Sequence, residues 1–133
     1  MTLSYAQAHD LLESLVRART AYDGDAWVAL FEESAEVSLD PFADPLVGHN
    51  DLRAYLNSAA ETERWFDLQV ERHWAAGDAA LAAWHASWTR RSDEAKVRQS
   101  GFLVAETGSD GHIVRLRQWA VTREHLAGQE VAG

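Results

Sequence analysis

The sequence predicts an α+β domain in which helices come first and a long curved antiparallel sheet follows. Three observations carry that prediction. Apolar residues recur at steps of three and four through the first third of the chain, at Ala8, Leu11, Leu12, Leu15, Val16 and Tyr22. In the second half they alternate instead, so that Trp84, Ala86 and Trp88 oppose His85, Ser87 and Thr89. The chain is 133 residues long, without an internal repeat or linker, which is the size of one domain around one core. Residues 1–133 therefore read as a single domain, with an ordered core from about residue 4 to about residue 125 and a frayed end after it.

The elements follow from local signals. Ser4 precedes the first apolar step and suits an N-cap, while Gly24 is placed to end this helix in the left-handed conformation. Asp25 then caps a short second helix that carries Trp27, Leu30 and Phe31 on one side. Glu36 to Leu39 reads as a short strand. It is ended by Asp40-Pro41-Phe42-Ala43-Asp44-Pro45, where two prolines exclude helix and central-strand pairing. Gly48 and Asn50 open a third helix whose apolar stripe is Leu52, Tyr55, Leu56, Ala59 and Ala60. Four long strands follow, from Trp65 to Ala76, Ala79 to Arg91, Lys96 to Thr107 and His112 to Arg123, separated by Gly-, Ser- and Asp-rich turns. In the last of them Leu116 and Ala120 oppose Arg115, Arg117 and Trp119. The helices cover one sheet face, and the other keeps Phe102, Val104 and Trp119, so a homodimer that buries this outer face is expected.

Composition excludes several functions. Apolar residues make up 47% of the chain and charged residues 25%, the balance of a globular protein. The formal net charge of −9 repels phosphate backbones and anionic membrane surfaces, so neither nucleic acid nor membrane is an expected partner. There is no cysteine, hence no disulfide and no thiolate metal site. Met1 to Tyr5 has neither the basic patch nor the apolar stretch of a secretory signal, and a cytoplasmic protein is the expectation. Nucleotide-binding, zinc-protease and serine-hydrolase motifs are all missing, which leaves no cofactor or metal to invoke. His9 and Glu13 have the i, i+4 spacing that can hold a metal on a helix, but no third ligand is evident and a salt-bridging surface pair is the better reading. His73 and His85 lie on adjacent strands with structural or solvent roles, and His49 belongs to the start of the third helix.

The order helix, Gly24-Asp25, short helix ending in Leu30-Phe31, strand, Asp40-Pro41, Gly48, helix and four strands resembles the NTF2-like superfamily, which includes SnoaL-like polyketide cyclases. The likeness runs from about Tyr5 to about Arg123. Within it, the stretch from Val37 to His49 is similar to the segment holding the catalytic aspartate of ketosteroid isomerases. Gly48, His49, Leu52 and Arg53 repeat a Gly-His-x-x-Leu-Arg found in polyether-forming epoxide hydrolases. The resemblance implies a cone-shaped, cystatin-like fold, a bent sheet wrapped around the N-terminal helices and open at one end to an apolar cavity. It places Trp84, Trp88, Leu103, Leu116 and Ala120 inward, with Trp27, Trp65, Phe66 and Tyr55 completing the walls. The same tryptophans could equally fill a curved core.

On this resemblance Asp40 is the candidate general base or water-orienting group, although an Asp before a Pro also serves as a plain turn residue. Counting from Gly24-Asp25, the oxyanion tyrosine of the isomerases falls on Arg17; counting back from Gly111, their second aspartate falls on Leu103. The enolate-stabilising pair of that family is therefore missing. Tyr55 and Arg17 are the substitute polar groups, and Gln99 and Gln118 the inward-facing amides. The implied function is a small cofactor-independent enzyme acting on a hydrophobic polyketide-, steroid- or terpene-like molecule by isomerisation, dehydration, cyclisation or epoxide opening. The alternative is a non-catalytic ligand-binding or dimeric assembly module.

Overall fold

In the computed structural model residues 2–126 are described; the frayed end expected over residues 127–133 lies outside them. Helix α1 (Tyr5–Ala21) starts at a reciprocal cap, in which Ser4 Oγ accepts the Gln7 amide at 3.0 Å and Gln7 Oε1 accepts the Ser4 amide at 2.8 Å. It ends at Tyr22, left-handed at φ 53°, and not at Gly24. A bulky residue holds that conformation because its hydroxyl is tied to Glu63 at 3.1 Å. Consequently Asp23 and not Asp25 caps α2 (Gly24–Val28), accepting the Ala26 amide at 3.1 Å.

Strand β1 (Phe31–Ser38) begins five residues before the expected Glu36, because Phe31, Ala35 and Val37 all bury against the helices. After the proline loop, β2 (Leu46–Val47) pairs antiparallel with β1, and α3 (Gly48–Thr62) follows at once. Gly48 sits at φ 82°, and a Cβ there would lie 3.1 Å from the Glu33 carbonyl oxygen. His49 Nε2 donates to the Phe31 carbonyl at 2.9 Å and so ties the start of α3 to β1.

Strands β3 (Glu63–Ala76), β4 (Ala79–Arg90), β5 (Lys96–Thr107) and β6 (Ile113–His125) form the expected meander. The sheet is nevertheless mixed. Its order is β2-β1-β6-β5-β4-β3, and β1 runs parallel to β6 with Val37 opposite Leu116. A parallel neighbour needs a long crossover, which α3 and the four intervening strands provide. Two register shifts in β3, between Arg64 and Asp67 and between Val70 and Arg72, bend the sheet around α1. Leu12, Leu15, Phe31, Val37, Leu52, Leu56, Ile113 and Leu116 form the core between helices and sheet. This is the open cone that the resemblance implies: three helices in the mouth of a curved six-stranded sheet.

The far half of β6 departs from expectation. Ala120 shares a register row with Gly101 and Trp84 yet is exposed, as is all of β6 from Trp119 to Glu124. On the outer face Phe102 lies opposite Trp119, and the Trp74 ring packs 5.9 Å from Phe102. Among the described residues no helix is long and apolar enough to cross a membrane.

Candidate functional site

A cavity of about 330 Å³ lies between the concave sheet face and the helices. Leu12, Leu15 and Val16 of α1 wall one side, Phe66, Leu68 and Val70 of β3 another, and Trp84, Trp88, Leu103 and Leu116 of the central strands close it. Such a volume with apolar walls and a few convergent polar groups is the usual make-up of a small-molecule site.

The polar groups converge at Arg19. This residue continues the buried stripe of Leu12 and Leu15 one helical turn on, so the helix aims it at the cavity. It meets Glu63, the first residue of β3, and both are more than nine-tenths buried, at 7% and 8% exposure. Arg19 Nη2 donates to both oxygens of the Glu63 carboxylate at 2.9 Å, and the Tyr22 hydroxyl donates to Oε1 at 3.1 Å. The guanidinium stacks over the Phe66 ring at 4.0 Å, with the Tyr22 and Tyr55 rings at 5.6 and 5.7 Å. Burial works against the Arg19 charge, but Tyr55 and Glu63 outweigh it and hold the guanidinium above its ordinary pKa. Burial, reinforced by the Glu63 charge, raises the Tyr22 hydroxyl and keeps it a donor.

Among the described residues one acceptor position of Glu63 stays open. A carboxylate offers about four lone-pair sites, of which Oε1 uses two on Arg19 and Tyr22 and Oε2 uses one on Arg19. Arg19 Nη1 and the indole nitrogens of Trp27 and Trp84, all from cavity-lining residues, are buried without a hydrogen-bond partner among the described residues.

The structure gathers Tyr55, Trp27, Phe66, Trp84, Trp88, Gln99, Leu103, Leu116 and Gln118 around this cavity. The amide nitrogen of Gln99 donates to Thr122 Oγ1 at 3.1 Å, and that of Gln118 reaches the Leu39 carbonyl at 3.5 Å. Three expected residues lie elsewhere. Arg17 is on the outer face of α1, 71% exposed and paired with Glu13 at 2.7 Å, because two residues along a helix is more than half a turn from Arg19. Trp65 is 75% exposed at φ 56°. It and Phe66 together oppose Trp88 alone, a bulge that turns one ring inward and the other out.

Asp40 also lies outside the cavity lining. It is exposed in the proline loop, where its Oδ1 accepts the Phe42 amide at 2.9 Å and its carbonyl accepts the Ala43 amide at 3.1 Å. This is the local turn that Asp forms with its own backbone. Its neighbour Leu39 is the residue of that segment that reaches the cavity.

Arg19 and Glu63 are the residues that sequence reasoning missed. For Arg19 the signal was present, since it stands at i+7 and i+4 from Leu12 and Leu15 on the apolar stripe. Glu63 carries no such signal: it joins the end of α3 to β3, outside both periodic patterns.

Solved structures share this architecture. The epoxide hydrolase/cyclase-like enzyme SalBIII of salinomycin pyran-ring formation is 21% identical, with a TM-score of 0.78 over 87% of this chain and 92% of that one. An LEH-like epoxide hydrolase of M. tuberculosis is 19% identical, with a TM-score of 0.74 over 87% and 84%. A computationally designed 17-OHP binder is 16% identical, with a TM-score of 0.78 over 90% and 98%. At these identities the likeness is one of fold, and the neighbours include enzymes and a designed binder alike. No curated protein matches the chain. The family model of the SnoaL-like domain matches residues 12–116, from the buried face of α1 to the cavity-facing Leu116 of β6, and the chain belongs to that family.

Proposed function

We propose that the chain is a cofactor-independent enzyme that takes a neutral, hydrophobic polyketide-, steroid- or terpene-like molecule into the cavity and acts on an oxygen function at its Arg19–Glu63–Tyr55 end. The observation that carries this reading is the placement of Glu63, the only carboxylate on the cavity wall among the described residues, held by Arg19 and Tyr22 with one acceptor position open. There it orients a water or receives a proton, and the Tyr55 hydroxyl supplies a donor to the developing oxyanion. Epoxide opening and isomerisation both fit such an acceptor and donor pair. A strongly anionic substrate fits poorly, since Glu63 already neutralises the buried cation and the chain carries −9 overall.

Asp40, the base implied by the resemblance, supports this chemistry only if the proline loop rearranges. Its present place in an exposed turn favours a second reading, a binding module without turnover. Assays on epoxide and enone substrates separate the readings. Glu63→Gln is expected to lower turnover by about 10²–10⁴-fold, while Asp40→Asn leaves it unchanged. Loss in Asp40→Asn alone returns the role to Asp40, and stabilisation by ligands without turnover of any substrate supports the module.

The outer sheet face supports a homodimer, as its row of Phe102, Val104, Trp119 and Val121 lies open with Trp119 41% and Val121 79% exposed. Light scattering is expected to give twice the chain mass for the wild type and a monomer for Trp119→Asp. A wild-type monomer at micromolar concentration removes the dimer.

A further inference from the structure

Behind the cavity wall, α1 and β3 enclose a groove of about 340 Å³. Its floor is made by Leu12, Val16, Leu68 and Val70, the same side chains that wall the cavity from inside. Its rim carries His9 and Glu13 from α1 and His73 from β3. A ring nitrogen of His9 and carboxylate oxygens of Asp10 and Glu13 lie within 4.8 Å of one another. His9 Nδ1 is 3.7 Å from Glu13 Oε2, as one helical turn dictates, while the other oxygen of Glu13 is held by Arg17 at 2.7 Å.

The sheet brings a second histidine beside this cluster. The His73 ring lies with its centroid 5.6 Å from that of His9. Two imidazoles bound to one ion at about 2.0–2.1 Å in tetrahedral geometry hold their ring centres about 5 Å apart, close to the 5.6 Å found here. The tautomer is also suitable. His73 Nε2 lies 3.3 Å from the Tyr5 carbonyl oxygen, which can only accept, so Nε2 carries the hydrogen and Nδ1 keeps its lone pair. A ligating histidine typically has its other ring nitrogen bound to a carbonyl in this way. Stacking on the Tyr5 ring at 4.1 Å further orients the imidazole.

We propose that His9, Glu13 and His73, with Asp10 as a fourth donor, bind one divalent transition ion of the zinc type. Two imidazoles with carboxylates suit such an ion better than calcium or magnesium, which take oxygen ligands. The other charged groups of the groove are Glu71, paired with His85 at 2.9 Å, and Arg72, which stacks on Trp74. The bound ion cross-links α1 to β3 one layer of side chains behind the cavity, stiffening the wall against which a ligand packs. The site stands independently of the reading of the cavity.

Isothermal titration of tag-free protein with zinc chloride tests it. The expected result is saturable uptake of one ion per chain at neutral pH. His9→Ala and His73→Ala each weaken it by about tenfold or more, and His112→Ala, which removes the surface His112–Asp110 pair, leaves it unchanged. Zinc should raise the melting temperature of the wild type and of His112→Ala, and not of the two site variants. Both site histidines sit on the surface, and melting without zinc confirms that their variants fold. Absence of saturable uptake by the wild type overturns the proposal, as does full affinity in either site variant or loss in His112→Ala.

Discussion

Glu63→Ala is expected to destabilise the domain by about 3–5 kcal/mol, read as a lowered urea midpoint at unchanged slope, because it leaves the Arg19 guanidinium buried without its counter-charge. The environment offers Arg19 no escape. It is 7% exposed, its Nη1 already lacks a hydrogen-bond partner among the described residues, and the rings of Phe66, Tyr22 and Tyr55 surround it. Cation–π contact compensates only about 0.5–2 kcal/mol of such a loss. Replacing both partners together, Arg19→Met with Glu63→Leu, should recover most of the stability, since an apolar pair of similar volume removes the desolvation cost altogether. The exposed Arg17–Glu13 pair is the internal control, as Glu13→Ala should change stability by less than about 1 kcal/mol. Equal effects of Glu63→Ala and Glu13→Ala would mean that the Arg19 pair is solvated and not part of a closed cavity.

Gly101→Ala is expected to cost about 1–3 kcal/mol through overpacking and, with it, to reshape the cavity. Gly101 pairs with Trp84 on one side and Ala120 on the other, and the Trp84 indole packs close against it. A Cβ there would lie 2.5 Å from the Trp119 carbonyl oxygen and 2.6 Å from Trp84 Cζ2. The backbone of β6 cannot retreat without breaking its ladder with β5. Relief therefore needs both a local shift of β6, at the expense of that ladder, and a swing of the indole away from the sheet, into the space where a ligand would pack. A thermal melt reads the loss of stability, and a cavity ligand reads the loss of space as a weakened stabilisation of the variant. A melt and a ligand affinity both equal to wild type would show that Trp84 does not rest on Gly101.

The helices and the meander were legible because each is a periodic pattern imposed by one buried face. Alternation puts Trp84 and Trp88 on one strand face; the resemblance makes that face, with Leu103, Leu116, Gln99 and Gln118, the concave one, and the structure has these six there. What failed were departures from period. Trp65 reads as inward in an unbroken strand, and one bulged residue, invisible to alternation, puts it outside and brings Phe66 in. The parallel pairing of β1 with β6 joins segments about 80 residues apart, which no local signal reports. Asp40 was a choice between turn and catalyst that sequence spacing left open, and its own backbone took the carboxylate. Arg19 shows the opposite failure. An arginine on an apolar stripe is discounted as a core residue, although its partner Glu63, 44 positions away, is what makes its burial tolerable.

The most direct test of the central claim, that the cavity behind Arg19 and Glu63 receives a neutral apolar molecule, is a thermal-shift screen with steroids, polyketides and terpenes. It compares wild type with Leu103→Trp, in which an indole occupies the cavity, each protein being read with and without compound. At roughly a hundred times its Kd a ligand adds about 2.7 kcal/mol to the folded state, several degrees for a domain of this size. At least one class is expected to raise the melting temperature of the wild type by that amount and to leave Leu103→Trp unmoved. No shift in the wild type with any class, or equal shifts in both proteins, would contradict the claim.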